Sequence, residues 1–290
     1  MRHKTRGAQL FDILNYTILG LLALLMSFPF WNVVVGSLSS PHLVYEGQMM
    51  LWPREFSLVA YKTIFNTSNF MRVFENTVFI TVVGTIISMI LTVMLAYTLS
   101  KKKVFGSTFM LFLVFFTMLF QGGIIPTYLV VKSLGLINSL WSLILPNALN
   151  AFYIIIMVSF FRAIPEELED SAKIDGCNDI GVLFRIIVPT SLPIIATLTL
   201  FYSVSQWNMF FHAVMFISNP DNYTLQVLLR QILIMMTSDA LDAALSEDVP
   251  KIGVTVKLAM IIVSSVPILL VYPFLQKYFA KGVMIGSIKG

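Results

Sequence analysis

The densest group of ionisable side chains lies in one short segment near the middle of the chain. It carries six of the fifteen acidic residues, Glu166, Glu167, Glu169, Asp170, Asp175 and Asp179. The chain has one cysteine and three histidines that are far apart, so no Cys/His group has metal-ligand spacing. The residue types therefore predict neither a catalytic centre nor a metal site.

This segment has clear helix start and stop signals. Pro165 suits a first helical position, and the glutamates that follow complement the helix dipole. Glu169 and Lys173 are spaced as an i,i+4 ion pair. Gly176 can take the positive φ that ends a helix, and Asn178 can cap a second one. The pattern predicts two short helices around a glycine turn. These signals alone fit either a docking element or an interfacial hairpin with no partner.

A second group of polar residues lies within an apolar stretch farther along. Gln206, Trp207 and Asn208 are candidates for a substrate path, because Trp207 could stack on the ring of a ligand and the amides could form hydrogen bonds. Hydrogen bonding between helices is the alternative. Asn147 and Asn150 are three residues apart on one predicted helix face, where linking helices is favoured over binding a substrate.

The elements that must position these residues are membrane spans. Hydrophobic residues make up 57% of the 290-residue chain and charged residues only 12%, against about 25% charged in soluble domains. Lipid must therefore be the solvent for most of the chain. Six windows are long enough to span a membrane: 10–35, 74–99, 104–131, 140–161, 188–217 and 254–279. Gly122, Gly123 and Pro126 predict a break in the third, and Pro189 marks entry to the fifth.

The distribution of lysine and arginine predicts the orientation. With a cytoplasmic N-terminus, twelve of the 19 lie inside and seven outside, so both termini are predicted to be cytoplasmic. Glu46 and Asp239 then lie outside, and residues 162–188 form the notable inner loop. The chain has no G-x-x-x-x-G-K-[ST] motif that would bind ATP. The predicted spans have almost no internal acidic residues, since Asp12 and Glu75 lie at span ends. Proton-driven transport and intramembrane catalysis are therefore disfavoured.

The inner loop resembles the cytoplasmic EAA loop of ABC importer permeases, whose pattern is E-A-A, three residues, glycine and a later proline. The matching residues here are Asp170-Ser171-Ala172, Gly176 and Pro189. The first two depart from Glu and Ala but keep charge sign and small size. The loop is similar to that of the MalG-like carbohydrate permeases, and further residues resemble the same family: Asn76-Thr77, Ala96-Tyr97, Phe105-Gly106 and Trp207-Asn208. The stretch 121–128 resembles the LplC/YtcP-type branch of that family.

The resemblance implies an all-α, polytopic membrane protein with the six-helix MetI-like fold of type I importers. Residues 1–73 would hold the N-terminal tail, first span and outer loop, and 74–290 the permease core. The coupling residues implied are Glu167, Glu169, Asp170, Ser171, Ala172, Asp175, Gly176 and Pro189.

The expected partners are a second homologous permease, a cytoplasmic ATPase dimer, an extracytoplasmic sugar-binding protein and membrane lipid, with no nucleic acid. The ATPase subunits would bind ATP, so this chain needs no cofactor. The branch implies import of an oligosaccharide, acidic or complex in chemistry. The alternative function is a secondary sugar transporter.

Overall fold

The computed structural model describes residues 6–45, 51–67, 69–101, 103–243 and 252–286. Every regular element in these ranges is helical, which confirms the all-α fold class. The helices are α1 (Arg6–Ser37), α2 (Pro41–Tyr45), α3 (Val59–Phe65), α4 (Phe70–Ser100), α5 (Ser107–Leu119), α6 (Ile124–Ser133), α7 (Trp141–Ile144), α8 (Ala151–Arg162), α9 (Glu166–Ile174), α10 (Asp179–Val182), α11 (Val188–Thr190), α12 (Leu192–Trp207), α13 (Phe211–Phe216), α14 (Leu225–Ala243) and α15 (Ile252–Gly286).

Within the ranges that the structure describes, three helices are long and apolar enough to cross a membrane alone. They are Gly7–Ser37, Phe70–Ser100 and Gly253–Val271. Three bent pairs reach the required length together: Ser107–Leu119 with Ile124–Ser133, Trp141–Asn147 with Ala151–Arg162, and Asp179–Thr190 with Leu192–Trp207. Counting each bent pair as one span gives the six predicted spans. Helices suit this environment because they satisfy their own backbone hydrogen bonds in lipid.

The third span is broken where the glycine pair predicted a break. The axes of α5 and α6 differ by 115° across residues 120–123. Gly123 has a φ of +87°, a conformation that residues with a Cβ rarely adopt. The chain can reverse direction here because glycine carries no side chain.

The fourth span has a break that was not predicted. The axis changes by 48° between the 3₁₀ turn Leu145–Asn147 and α8. Asn150 lies in the break, and its Oδ1 accepts hydrogen bonds from the backbone N–H groups of Phe152 at 3.0 Å and Tyr153 at 3.3 Å. It is therefore an N-cap. The prediction that its side chain links two helices is wrong, because its oxygen is committed to its own helix.

The fifth span, predicted over residues 188–217, does not run as one helix. Residues 179–190 and α12 meet at Ser191 with an 84° change of axis, and α12 ends at Trp207. Pro189 lies within the short α11, ahead of this bend. A proline this close to the bend has no N–H to continue the preceding helix.

The chain divides into two compact units, residues 1–70 with 229–266, and 71–228 with 267–290. In the first unit, Gly36 packs so closely on Leu258 that a Cβ would lie 2.5 Å from its Cδ1. The hydroxyls of Ser37 and Tyr61 are 2.8 Å apart. Only 6% of the apolar window in Gly7–Ser37 is buried, so most side chains of α1 are exposed in the isolated chain.

The second unit has two apolar clusters along α4. One surrounds Ala96, Tyr97 and Leu99, and it includes residues of α8, α9 and the π-helical turn Leu183–Ile187. The other surrounds Ile80 with residues of α7, α13 and α14. Between them, hydroxyl pairs join α4 to α12: Thr92 with Tyr202 at 2.7 Å and Thr85 with Ser203 at 3.3 Å.

Candidate functional site

The inner loop folds as the predicted helix, glycine turn and second helix. α9 begins at Glu166, one residue after Pro165, so the proline precedes the helix rather than occupying its first position. Its first turn carries Glu166, Glu167 and Glu169. Negative charge at this end is favourable because the helix dipole is positive there.

Gly176 ends α9 with a φ of +84°. Two backbone hydrogen bonds close the helix, from Gly176 N to the Lys173 carbonyl at 3.0 Å and from Cys177 N to the Ala172 carbonyl at 2.9 Å. This is a Schellman motif. Asn178 then caps α10, since its Oδ1 accepts a hydrogen bond from the backbone N–H of Gly181 at 2.8 Å.

The predicted ion pair between Glu169 and Lys173 is wrong. Glu169 pairs instead with Lys101, just beyond the end of α4, and Lys173 pairs with Asp179 at 2.9 Å. Glu169 faces the bundle, where Lys101 is its neighbour. The hydrogen bond to the Asp179 carboxylate raises the pKa of Lys173, whereas burial lowers the pKa of Lys101.

The two faces of α9 differ in burial. Ala172 is only 6% exposed and packs into the cluster around Tyr97 and Leu99. Leu168 is 46% exposed and Ile174 is 86% exposed. Three further predicted coupling residues also lie on the exposed side: Glu167, Asp170 and Ser171. Asp175, at the helix end, is exposed as well. The exposed side is therefore acidic with apolar side chains, and Ala172 anchors the helix to its own chain.

The three residues of the predicted substrate path do not converge on one site. Gln206 is 3% exposed, and a Cβ on Gly84 would lie 3.0 Å from its side-chain amide. Trp207 is 5% exposed and meets the ring of Phe74 edge to face at 6.2 Å. Asn208 is exposed, and its Nδ2 donates to the Val204 carbonyl at 2.9 Å.

A cavity of about 370 Å³ lies beside Trp207. Thr81, Thr85 and Ser203 supply its few polar groups, and α15 contributes Pro267. Each of these hydroxyls already donates a hydrogen bond within the protein, and the cavity is therefore mainly apolar. Gln206 instead packs between helices, with no hydrogen bond to its Oε1 from the described residues.

A polar turn at residues 218–222, near the start of α4, was not predicted as a site. Asn138, with a φ of +61°, accepts hydrogen bonds on Oδ1 from the Ser218 N–H at 2.7 Å and the Asn219 N–H at 3.1 Å. The Asn, Pro and Asp residues at 219–222 signal a turn, but its partner lies 80 residues away in sequence.

The first turns of α4 hold the same polar turn from the other side. Asn76 donates to the carbonyl of Asp221 at 2.8 Å, and Arg72 forms an ion pair with its carboxylate at 3.4 Å. Thr77 accepts from the N–H of Leu225 at 2.8 Å, where α14 begins. One end of α4 thus fixes the start of α14, and the other end contacts the inner loop.

Comparison with known proteins identifies this arrangement. Residues 89–285 match the family described as "Binding-protein-dependent transport system inner membrane component". The polygalacturonan/rhamnogalacturonan transport system permease protein YtcP of Bacillus subtilis is 48% identical over 285 residues, covering 97% of this chain and 99% of the relative. Protein LplC of the same species is 46% identical over 288 residues, covering 99% and 98%.

A solved structure agrees with the fold. The bacterial ABC transporter involved in the import of the acidic polysaccharide alginate contains a chain with a TM-score of 0.85 and 33% identity. The match covers 96% of this chain and 100% of that one. The MalG-like resemblance, the LplC/YtcP-type branch and the MetI-like fold are confirmed, and the alternative of a secondary transporter is not supported. The chain belongs to the binding-protein-dependent transport system inner membrane components, as a multi-pass, non-enzymatic permease subunit of an ABC importer.

Proposed function

We propose that this subunit imports an acidic oligosaccharide together with a second, similar permease. An extracytoplasmic binding protein delivers the sugar, and a cytoplasmic ATPase dimer binds ATP, so this chain itself holds no cofactor. Residues 74–290 form the permease core in this proposal. Residues 1–73 contribute a first span whose exposed apolar surface fits lipid and the partner permease.

The proposal of an acidic substrate rests on the relatives. YtcP, named for polygalacturonan and rhamnogalacturonan, is 48% identical over nearly the whole chain. The structure named for alginate import is 33% identical. These polymers share sugar rings that carry carboxylates.

Uptake by proteoliposomes tests the substrate class. The complete importer and its binding protein are supplied with short oligogalacturonates or with neutral oligosaccharides of the same length. We expect ATP-dependent accumulation of the acidic sugars only. Preferential uptake of the neutral series would reject the proposed substrate.

The exposed side of α9 supports the proposed coupling to the ATPase. Leu168 is half exposed and Ile174 is 86% exposed, so both apolar side chains are accessible to a partner. The rigid Schellman ending and the burial of Ala172 fix the direction in which this side faces. A short helix held in this way fits a cleft on a soluble partner.

Replacing Leu168 with glutamine tests the docking surface. We expect the ATPase to separate from the permease during purification and stimulated ATP hydrolysis to be lost. Leu134→Gln is the matched control, because Leu134 is 65% exposed at the end of α6. The control should keep the ATPase. Equal retention of the ATPase by both variants would reject docking through this side.

The delivery surface is proposed to lie between Thr224 and Pro250. Residues 225–243 are helical, whereas 244–250, which include the last three residues of the proposed deletion of 239–246, lie outside the described residues. The fixed start of α14 supports this proposal, because Thr77 and Asn76 hold the preceding turn in place. Deleting 239–246 should abolish uptake while the subunit stays in the membrane. Normal uptake would reject the assignment.

A further inference from the structure

Three contacts of different kinds join the inner loop to the end of α4. Ala172 packs among the apolar residues near Tyr97 and Leu99. Arg162, at the end of α8, donates from its guanidinium to the Leu99 carbonyl at 3.1 Å. The third contact is the ion pair between Lys101 and Glu169. Cations at this position are favourable because the last carbonyls of a helix carry partial negative charge.

The Lys101–Glu169 pair is shielded from water more than its neighbours are. The exposed fractions of the two side chains are 25% and 12%. The Lys101 ammonium also lies 4.5 Å from the centroid of the Tyr97 ring, where a cation is attracted to the aromatic face. Removing either partner would leave a poorly hydrated charge, which is costly.

A neighbouring pair offers a contrast within the same two elements. Lys103 lies 3.4 Å from Glu166, but the exposed fractions are 84% and 73%. Exposed pairs of this kind contribute little because water and salt screen them. The two pairs therefore separate the effect of a shielded contact from that of charge alone.

We propose that the Lys101–Glu169 ion pair persists through the transport cycle and makes α9 and the inner end of α4 move as one body. This inference rests on the proposed coupling through α9. It assigns Lys101 and Glu169 as positioning residues: Glu169 faces its own chain, so its contribution to coupling is to hold α9 rather than to touch the ATPase. Movement of α9 is then passed directly to α4.

Charge reversal tests the pair. The readout is the ratio of ATP hydrolysis with and without the sugar-loaded binding protein. We expect Lys101→Glu to lower this ratio by about fivefold or more, the scale of a coupling between sites. Lys101→Arg should preserve it. The double variant Lys101→Glu with Glu169→Lys should recover part of it, since the pair is restored but the contact of a cation with Tyr97 is not.

The matched control is Lys103→Glu, which should leave the ratio unchanged because its partner is exposed. Equal losses in the Lys101 and Lys103 variants would overturn the proposal. So would a double variant no better than Lys101→Glu.

A cross-link tests persistence without charge reversal. Lys101→Cys and Glu169→Cys are combined with Cys177→Ser and joined by a short bifunctional maleimide. The double-cysteine variant lacks the ion pair, so we expect its stimulated hydrolysis to be low before cross-linking. We expect the cross-linked complex to recover stimulation, because the link holds the two positions together in every state. A fully responsive uncross-linked variant would show that the pair is not needed, and a cross-linked complex that stays unresponsive would show that the two positions must separate. Either result would overturn the proposal.

The Leu168 experiment separates this inference from the proposed coupling. If Leu168→Gln keeps the ATPase and full stimulation, the docking role itself fails. If Leu168→Gln loses the ATPase while Lys101→Glu remains fully responsive, docking stands and only the ion-pair proposal fails.

Discussion

At the residue scale, Gly176 shows how one backbone angle fixes the inner loop. A Cβ added at this position would meet no other heavy atom within 4 Å. Space is therefore available, and only the φ of +84° restricts the residue type. A substitution at Gly176 therefore tests the backbone angle alone, because the new side chain would not clash with a neighbour.

Gly176→Val should impair coupling. A β-branched residue with positive φ carries a strain of about 1–3 kcal/mol, so the turn should shift and displace α9. Asparagine tolerates this conformation better, which makes Gly176→Asn the control. We expect the valine variant to remain in the membrane but lose most binding-protein-stimulated ATP hydrolysis. Equal stimulation in the two variants would show that the angle is not required.

Ala172→Asp should lower the stability of the loop's attachment. Ala172 is buried against its own chain, whereas the adjacent Ser171 is exposed and donates its hydroxyl to the Glu167 carbonyl. An unpaired carboxylate at the buried position is expensive. The purified permease should therefore melt at a lower temperature with Ala172→Asp than with Ser171→Asp. Similar melting temperatures would contradict the burial of Ala172.

At the element scale, the sequence predicts what depends on local pattern. Six apolar windows become six spans, and the helix signals around Gly176 give the observed turn. Gly122-Gly123 predicts the sharpest break because glycine acts through its own backbone. The bend at Ser191 and the partner of Glu169 could not be predicted in this way. Glu169 pairs with Lys101, which is 68 residues away, and only the packing of α9 against α4 brings the two side chains together.

Gly84→Ala tests how closely α4 and α12 approach. The new Cβ would lie 3.0 Å from the buried Gln206 amide. Overpacking costs about 1–3 kcal/mol, against a gain of about 1 kcal/mol from replacing glycine in a helix. Gln206 is 3% exposed, so its amide has little room to withdraw and the cost outweighs the gain. Gly84→Ala should therefore lower the melting temperature in the wild-type background. It should raise it when Gln206→Ala is also present. The same sign in both backgrounds would contradict this packing.

At the scale of the whole molecule, the excess of lysine and arginine on one side predicts that both termini are cytoplasmic. Glu46, which that prediction places outside, lies beyond the described residues, and Asp239 lies within α14. The chain's one cysteine, Cys177, belongs to the inner loop and offers a native probe.

Labelling of intact cells with a membrane-impermeant maleimide tests this orientation. Asp239→Cys in a Cys177→Ser background should react without permeabilisation, since it is predicted to lie outside. The native Cys177 should react only after permeabilisation, provided that the ATPase is removed from the loop. Labelling in the opposite order would reverse the proposed orientation.

The length of the unbroken helix α4 should make the activity of the importer depend on the thickness of its membrane. Its 31 residues extend about 46 Å at 1.5 Å each, whereas the hydrocarbon core is about 30 Å thick. A straight helix accommodates hydrophobic mismatch chiefly by tilting, and tilt would carry Lys101 and the attached α9 sideways. In liposomes of phosphatidylcholines with increasing acyl-chain length, ATP hydrolysis stimulated by the binding protein should pass through a maximum, making acyl-chain length a regulator of sugar uptake.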